Sequence, residues 1–554
     1  MVINKYKILP HRMAMQLGKS SLLAAAVATA YIPTDASAFE IDVGNPDVSV
    51  IWGNTMRYNA GWRMNDRERA IANSDTKDEG DYSFDRGENV FNRFDLLTEL
   101  DVDFRREMGF RVSAAGWKDF AFNDDVNFNP AFANRNFQTS YDNNEFSDTT
   151  KHFHDQSGEL LDAYVYKNFS AGDISGEVKV GRQTVLWGEA LILSPFSVSH
   201  NQSPIDGLKG FVSPGVDAKE LVLPIGQVFT NVQVTPTLSL MAQYYYEWDN
   251  SRTPQGGTYL GATDFALDGP DRFPLANGAI ALRNNGFDKP KQSGDYGVGA
   301  RWTPEWLNGT LGIYYREFTE RSAVASINPT ARTYEFFFPE DQKMIGLSLS
   351  KSFGGVSVGA EVTRQEDAVL NTAINDGTKG AARGTVWTGL LNGVKLFGPN
   401  QVWDSASFIT ELGYSYLEEV TENEKYFDSC YNRKHRGDRN AIEEAGCSSR
   451  DNSQIALRFT PGWTAVFPGW DATTNFAVTY GISGNSPLIL PDHGQEGVGS
   501  FQVGTTWTYN ARHDLSLAYV DYLATNETRN GTQLFNGSQR QDRGWLSFTY
   551  KASF

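Results

Sequence analysis

Cysteine is nearly absent from this chain: two residues in 554, beside only eight methionines. A disulfide-dense scaffold and a multi-cysteine metal fold are thereby excluded. Long apolar runs are missing too. After the N-terminal stretch, nothing approaches the about eighteen apolar residues that a spanning helix needs, and the mean hydropathy is −0.43. Basic excess is also lacking, with 49 Lys and Arg against 67 Asp and Glu. An acidic chain does not offer the basic face on which nucleic-acid binding depends. No G-x-S-x-G elbow, H-E-x-x-H helix or P-loop occurs. The sequence therefore assigns no catalytic residue, cofactor site or metal site. His152, His154 and Asp155 supply only two imidazoles and read as a solvated loop, as do the acidic stretches at 75–81 and 124–125.

What the chain does have is aromatics, at 13%, and glycine, at 52 residues. Its first 38 residues carry Lys5, Lys7, Arg12 and Lys19, then the apolar stretch 21–32, then Ala36-Ser37-Ala38. This is the pattern of a cleaved secretory signal, with the mature chain starting at Phe39. Cleavage removes those four cations and Asp35 and moves the formal charge from −18 to about −21. In an oxidising compartment Cys430 and Cys447 are expected to pair and close one long loop.

Period-two alternation recurs along residues 39–554. Leu96, Thr98, Leu100, Val102 and Phe104 share one face, while Asp95, Glu99, Asp101 and Asp103 share the other. Similar runs lie around residues 238–248, 296–302, 406–416 and 472–480, with aromatics at their ends. About eighteen such strands fit the length, and short turns alternate with eight long connections, the arrangement of outer-membrane barrels. The last strand, WLSFTYKASF, ends on Phe554 and resembles a barrel-assembly signal. The expected fold is an all-β transmembrane antiparallel barrel of about eighteen strands in the outer membrane of a Gram-negative bacterium. Its first strand begins within some ten residues of the cleavage site, so any obstruction is expected to come from inward-folding loops rather than an N-terminal plug.

One such loop stands out. Residues 178–187 read as a strand bearing Arg182 and Trp187, residues 218–228 as a strand bearing Lys219 and Glu220, and the connection 189–217 lies between them. Loops of this length are functional or disordered, and Leu191, Ile192, Leu193, Phe196 and Phe211 argue against disorder. We expect the connection to fold into the barrel and narrow it. Arg182, Trp187, Glu189, Asp206, Lys219 and Glu220 are the candidate lumen residues, with the charges close enough to pair. Arg182 and Glu220 fit an ion-pair ladder on a wet wall as well as a role in solute passage.

The segments GRQTVLWGEA, NQSPIDGLKGF and PGVDAKELVLPIGQ resemble the DUF1302 family of proteobacterial exported proteins, and GRQ…WG occurs more loosely in porin-like and alginate-export-type barrels. The resemblance spans essentially the whole mature chain. It implies an outer-membrane conduit for hydrophobic or amphipathic compounds or lipids. It further implies a periplasmic DUF1329-like partner and an inner-membrane transporter of the resistance–nodulation–division class. The family brings no catalytic residues. A surface-binding, adhesin-like barrel acting through its long outer loops is the alternative function.

Overall fold

The computed structural model describes residues 39–212, 216, 218–373, 377–437, 441–489, 494–524, 526–529, 532–535 and 540–554. Residues 1–38, where a cleaved signal is expected, lie outside the described residues, as do 213–215 and 217 of the central connection.

Nineteen strands form the main sheet, and one of them, Phe39–Glu40, pairs only with the start of the first long strand. The remaining eighteen close into a ring. In chain order the first nine are β1 (Val48–Arg63), β2 (Asn89–Phe104), β3 (Met108–Asp119), β4 (Gln156–Ala171), β5 (Ile174–Gln183), β6 (Ile225–Thr235), β7 (Leu238–Tyr245), β8 (Tyr296–Trp302) and β9 (Gly309–Phe318). The second nine are β10 (Gln342–Phe353), β11 (Val356–Val369), β12 (Arg383–Phe397), β13 (Ser405–Glu422), β14 (Asp451–Phe467), β15 (Trp470–Ser483), β16 (Gly499–Tyr509), β17 (His513–Leu523) and β18 (Trp545–Ser553). Each pairs antiparallel with the next, and β18 pairs with both β17 and β1, setting Tyr550 opposite Leu515 and Tyr58. Phe554 exchanges two backbone bonds with Asn54, 2.6 and 2.9 Å, which completes the seam.

The alternation places apolar side chains outside and charges inside, the reverse of a soluble sheet. On β2, Leu96 is 40% exposed while Arg93 is 2% exposed. Val165, Ile313, Ile345, Leu347, Val362 and Leu391, from strands around the ring, are half or more exposed. An apolar surface this continuous requires hydrocarbon around it. Aromatic pairs such as Trp302–Trp306, Phe467–Trp507 and Trp470–Tyr509 gather at the short-turn end, where such rings sit at the lipid–water boundary. The protein is an outer-membrane β-barrel.

Connections at that end are short, for example Gly172–Asp173 and Gly354–Gly355. At the other end the described elements leave nine long connections rather than the eight expected: 64–88, 120–155, 184–224, 246–295, 319–341, 370–382, 423–450, 484–498 and 524–544. The missed one, 319–341, carries its own hairpin, Val324–Asn328 with Thr333–Phe337, whose alternation imitates a wall strand. That hairpin joins Ile280–Asp288 and Arg272–Leu275 in a small outer sheet over stacked Phe265 and Phe273. The expected turn at 462–469 is narrower, because β14 continues through a register shift to Phe467.

The outer connections form a cap. Cys430 and Cys447 are bonded within 423–450, with Cα atoms 5.1 Å apart. Elsewhere Asp78, Glu79 and Asp264 meet in the interior of the cap. Asp78 accepts from the Asn129 amide (2.7 Å), and Glu79 accepts from the Ser140 amide. Burial raises the Asp78 carboxyl to about 7. Burial and the neighbouring carboxylates push Glu79 and Asp264 well above the ordinary range.

Two outcomes are expected of this cap. Cys447→Ser should cost outer loop 423–450 about 3 kcal/mol of opening free energy, read by amide exchange, and leave the wall strands unchanged. The three carboxyl groups have folded pKa values above their unfolded ones, so their contribution is full at acid pH and falls as pH rises, Asp78's share being lost through about 7. His154, which burial drives down to about 3, acts in the opposite sense as pH falls below its ordinary value. Amides 77–82 should therefore be less protected, relative to their free-peptide exchange rates, at pH 8 than at pH 5, and Asp78→Asn should shrink that difference.

Candidate functional site

β5 ends at Gln183 and β6 begins at Ile225, so Trp187 and Glu189 lie beyond the strand expected over 178–187. The strand expected over 218–228 is instead a short helix, Ala218–Leu221, followed by a bend and β6. The residues between cross the lumen. Gly188, at φ +88°, turns the chain inward with its α-carbon against the Glu361 carboxylate, a position where a side chain is excluded by both conformation and space. Trp187 packs on Val198 of its own loop and on Met241 and Tyr314 of the inner wall.

The wall is shaped to receive this loop. Inward positions of β8, β10, β11 and β13 are occupied by Gly297, Gly346, Gly359 and Gly413. A Cβ at Gly297, Gly346 or Gly359 would stand 2.8, 2.5 or 2.9 Å from Trp187, Val198 or Glu189, and one at Gly413 would collide with the Phe196 ring. Two wall carboxylates then fix the loop backbone. Glu361 accepts from the amides of Glu189 and Val198, the latter at 2.7 Å. Glu411 accepts from three consecutive amides, Leu191 (2.9 Å), Ile192 (2.7 Å) and Leu193. Charged acceptors make such bonds about twice as strong as neutral ones. Arg316 donates to the carbonyls of Val198 (2.8 Å) and His200 (2.7 Å), and Thr388 to that of Phe196 (3.0 Å).

Beyond Pro204 the loop meets the far side. The Glu220 carboxylate forms two bonds with Arg57 of β1 at 2.9 and 3.2 Å, and Lys219 pairs with Glu99 of β2. Asp206 pairs with Arg252 (3.3 Å), which reaches Glu159 of β4 (2.6 Å), as does Lys209 (2.6 Å). β2 and β11 stand nine strands apart in a ring of eighteen. The connection is therefore pinned to opposite walls.

Several expectations need correction. Arg182 does not face the lumen: it keeps the outward parity of Val180 and Val228 and pairs with Glu247 at the rim. The five charges Arg182, Glu189, Asp206, Lys219 and Glu220 do not pair with one another, because loop and wall supply each with a nearer partner. For Glu189 that partner is Arg301 of β8, at 3.4 Å. Of the five apolar residues, Leu193 and Phe196 are buried and Phe211 is half-buried, but Leu191 is 50% and Ile192 39% exposed. With their amides held by the inner wall, these two side chains project into the lumen. Glu361, Glu411, Arg57 and Arg316 were not singled out from the sequence. The available signal was a lone charge at an inward position of an otherwise neutral strand stretch.

Neither histidine of the KHFHD stretch is placed for a metal. His154 accepts from the Gln255 amide (3.1 Å) and stacks on Phe122, and His152 bonds with Ser157. Among the described residues no group of three or more His, Cys, Asp or Glu could hold a metal ion. What remains is a narrowing with an apolar tip and fixed charges beside it.

The model of a family described as "Protein of unknown function (DUF1302)" matches residues 19–554. No curated protein matches the chain. Among solved structures the chain is similar to Pseudomonas aeruginosa OpdK with vanillate, at 10% identity and TM-score 0.39, covering 91% of this chain and 98% of that one. A BenF-like porin from Pseudomonas fluorescens Pf-5 gives 10% and 0.40 over the same shares. Acinetobacter baumannii OccAB2 gives 11% and 0.38, over 94% and 99%.

The glycine cradle has a direct test. Gly413→Ala should unseat Phe196 and speed amide exchange over 191–198 while the barrel stays folded. Gly393→Ala, where a Cβ would find its nearest neighbour at 3.5 Å, should change nothing. Equal behaviour of the two variants would mean that the loop does not depend on the fit.

Proposed function

The chain belongs to the DUF1302 family, and we propose that this outer-membrane barrel is a conduit for hydrophobic or amphipathic compounds. One observation carries the reading: Leu191 and Ile192 are held in the lumen, exposed, by backbone bonds to Glu411. Leaving such side chains in water forgoes roughly 1.5–3 kcal/mol each, and the cradle that buries Phe196 does nothing for them. A passing apolar surface would cover them, while Glu189 and Arg301 beside the tip would meet its polar part. Simple salts would gain nothing from such a lining.

The short-turn end would face the periplasm. In the proposed route it receives or delivers solute through a DUF1329-like periplasmic protein, with a resistance–nodulation–division transporter in the inner membrane as the energised component. Co-purification of such a protein from crosslinked cells, lost when the turns are altered, supports this part. Its absence removes the partner and leaves the conduit.

Planar-bilayer conductance and release from proteoliposomes test the conduit itself. Deleting residues 190–203 should raise ion conductance severalfold. Leu191→Ser with Ile192→Ser should lower the flux of a long-chain fatty acid about tenfold, the equivalent of about 1.4 kcal/mol, and leave ion conductance near its original value. A barrel that passes neither ions nor amphiphile, before and after the deletion, would return the function to surface binding by the outer connections.

A further inference from the structure

The barrel wall has a notch. β1 stays paired with β2 as far as Trp62 opposite Asn89, whereas β2 pairs with β3 only as far as Arg93 opposite Asp119. Phe120 adds one more backbone bond, to Asn92 at 2.8 Å, and the chain then departs into the 120–155 connection. The edge of Val90 and Phe91 that faces β3 therefore has no strand beside it. A register shift opposite Gly61 and Trp62 puts Val90 out of step as well. A missing strand end leaves a gap on the order of one strand spacing, about 4.8 Å, enough for an alkyl chain.

A cavity of about 1,240 Å³ opens at this notch, and its lining comes from both sides of the sheet. Tyr58 and Trp62 alternate with the buried Arg57, Asn59 and Arg63 and so face outward. Phe120, 61% exposed, stands beside them. Phe91, Leu208 and Tyr259 belong to the interior cluster at the foot of the central connection. Drug-sized ligands occupy roughly 300–1,000 Å³, so the space suits an elongated molecule. At its inner end the Tyr259 hydroxyl is buried without a hydrogen-bond partner among the described residues. The Arg63 guanidinium, 5.7 Å from the Tyr259 ring, is already paired with Asp81 and Asp542.

We propose that the notch is a lateral port that binds a single-chain amphiphile with a hydrogen-bond-accepting head as it passes between the lumen and the outer leaflet. The inference rests on the conduit reading above. The apolar chain lies across the aromatic lining, continuous with the lipid-facing belt at one end and with Leu208 at the other. The head accepts a hydrogen bond from the Tyr259 hydroxyl, satisfying a group that the protein leaves unpaired. A diacyl lipid would have to bring two chains through a gap of one strand's width, so the occupant is single-chained.

A photoactivatable long-chain fatty acid in bilayers holding the full barrel tests this. Crosslinks are expected on 208–212 and 257–260 as well as on the outward belt. Tyr259→Phe, which keeps the ring, and Ala121→Trp, which fills the cavity from its edge, should each cut the inner crosslinks about tenfold. Labelling confined to the belt, or inner labelling unchanged in both variants, overturns the port. Inner labelling as strong from a photoactivatable phospholipid overturns the single-chain assignment. Flux of the same fatty acid separates this inference from the one beneath it. Inner crosslinks without flux keep the binding site and remove the conduit, whereas flux without inner crosslinks keeps the conduit and removes the port.

Discussion

Hydrocarbon offers no partner to a backbone N–H or C=O, so a sheet inside it must close on itself. That constraint orders everything else in this chain. Closure makes the outside of every strand a lipid contact, and so moves the polar residues inward. Arg57, Arg93, Arg316 and Glu411 are consequently buried in a wall whose own opposite face is greasy. Charges so placed are costly unless something meets them. Much of that need is met by the connections, which bring their own charges and backbone amides into the barrel. The central connection is the fullest case, spending seven of its groups on Glu361, Glu411, Arg57 and Glu99.

The same constraint explains what could be read in advance. Period-two patterning with lipid on one side is a strong, local signal, and it revealed the barrel, the strand number and the alternation of turn lengths. It failed where a connection imitates the wall, at 324–337, since a hairpin outside the membrane alternates for the same geometric reason. The inward path of the central loop was legible from its apolar content. Its contacts were not, because hydrogen bonds to backbone amides leave no trace in residue type. The three amides on Glu411 belong to Leu191, Ile192 and Leu193, and any residue but proline would present the same donors there.

Charge pairing was the least legible. Arg182, Glu189, Asp206, Lys219 and Glu220 looked like one constellation because they lie close together in the chain. Parity sends Arg182 outward, and the loop's span carries Glu189 and Glu220 to opposite walls. Proximity in sequence says little about a segment that crosses a wide ring. The decisive partners, Arg57 and Glu411, come from strands 163 and about 220 residues away.

That separation has a consequence for how the molecule comes into being. The loop's amides are made with β5 and β6, but their acceptor, Glu411, belongs to β13 and is synthesised some 220 residues later. Contacts so distant in the chain form late, after the intervening segments have found their places. The narrowing therefore has its anchors only where β11 and β13 stand in place, and the aperture is held by the far side of the wall.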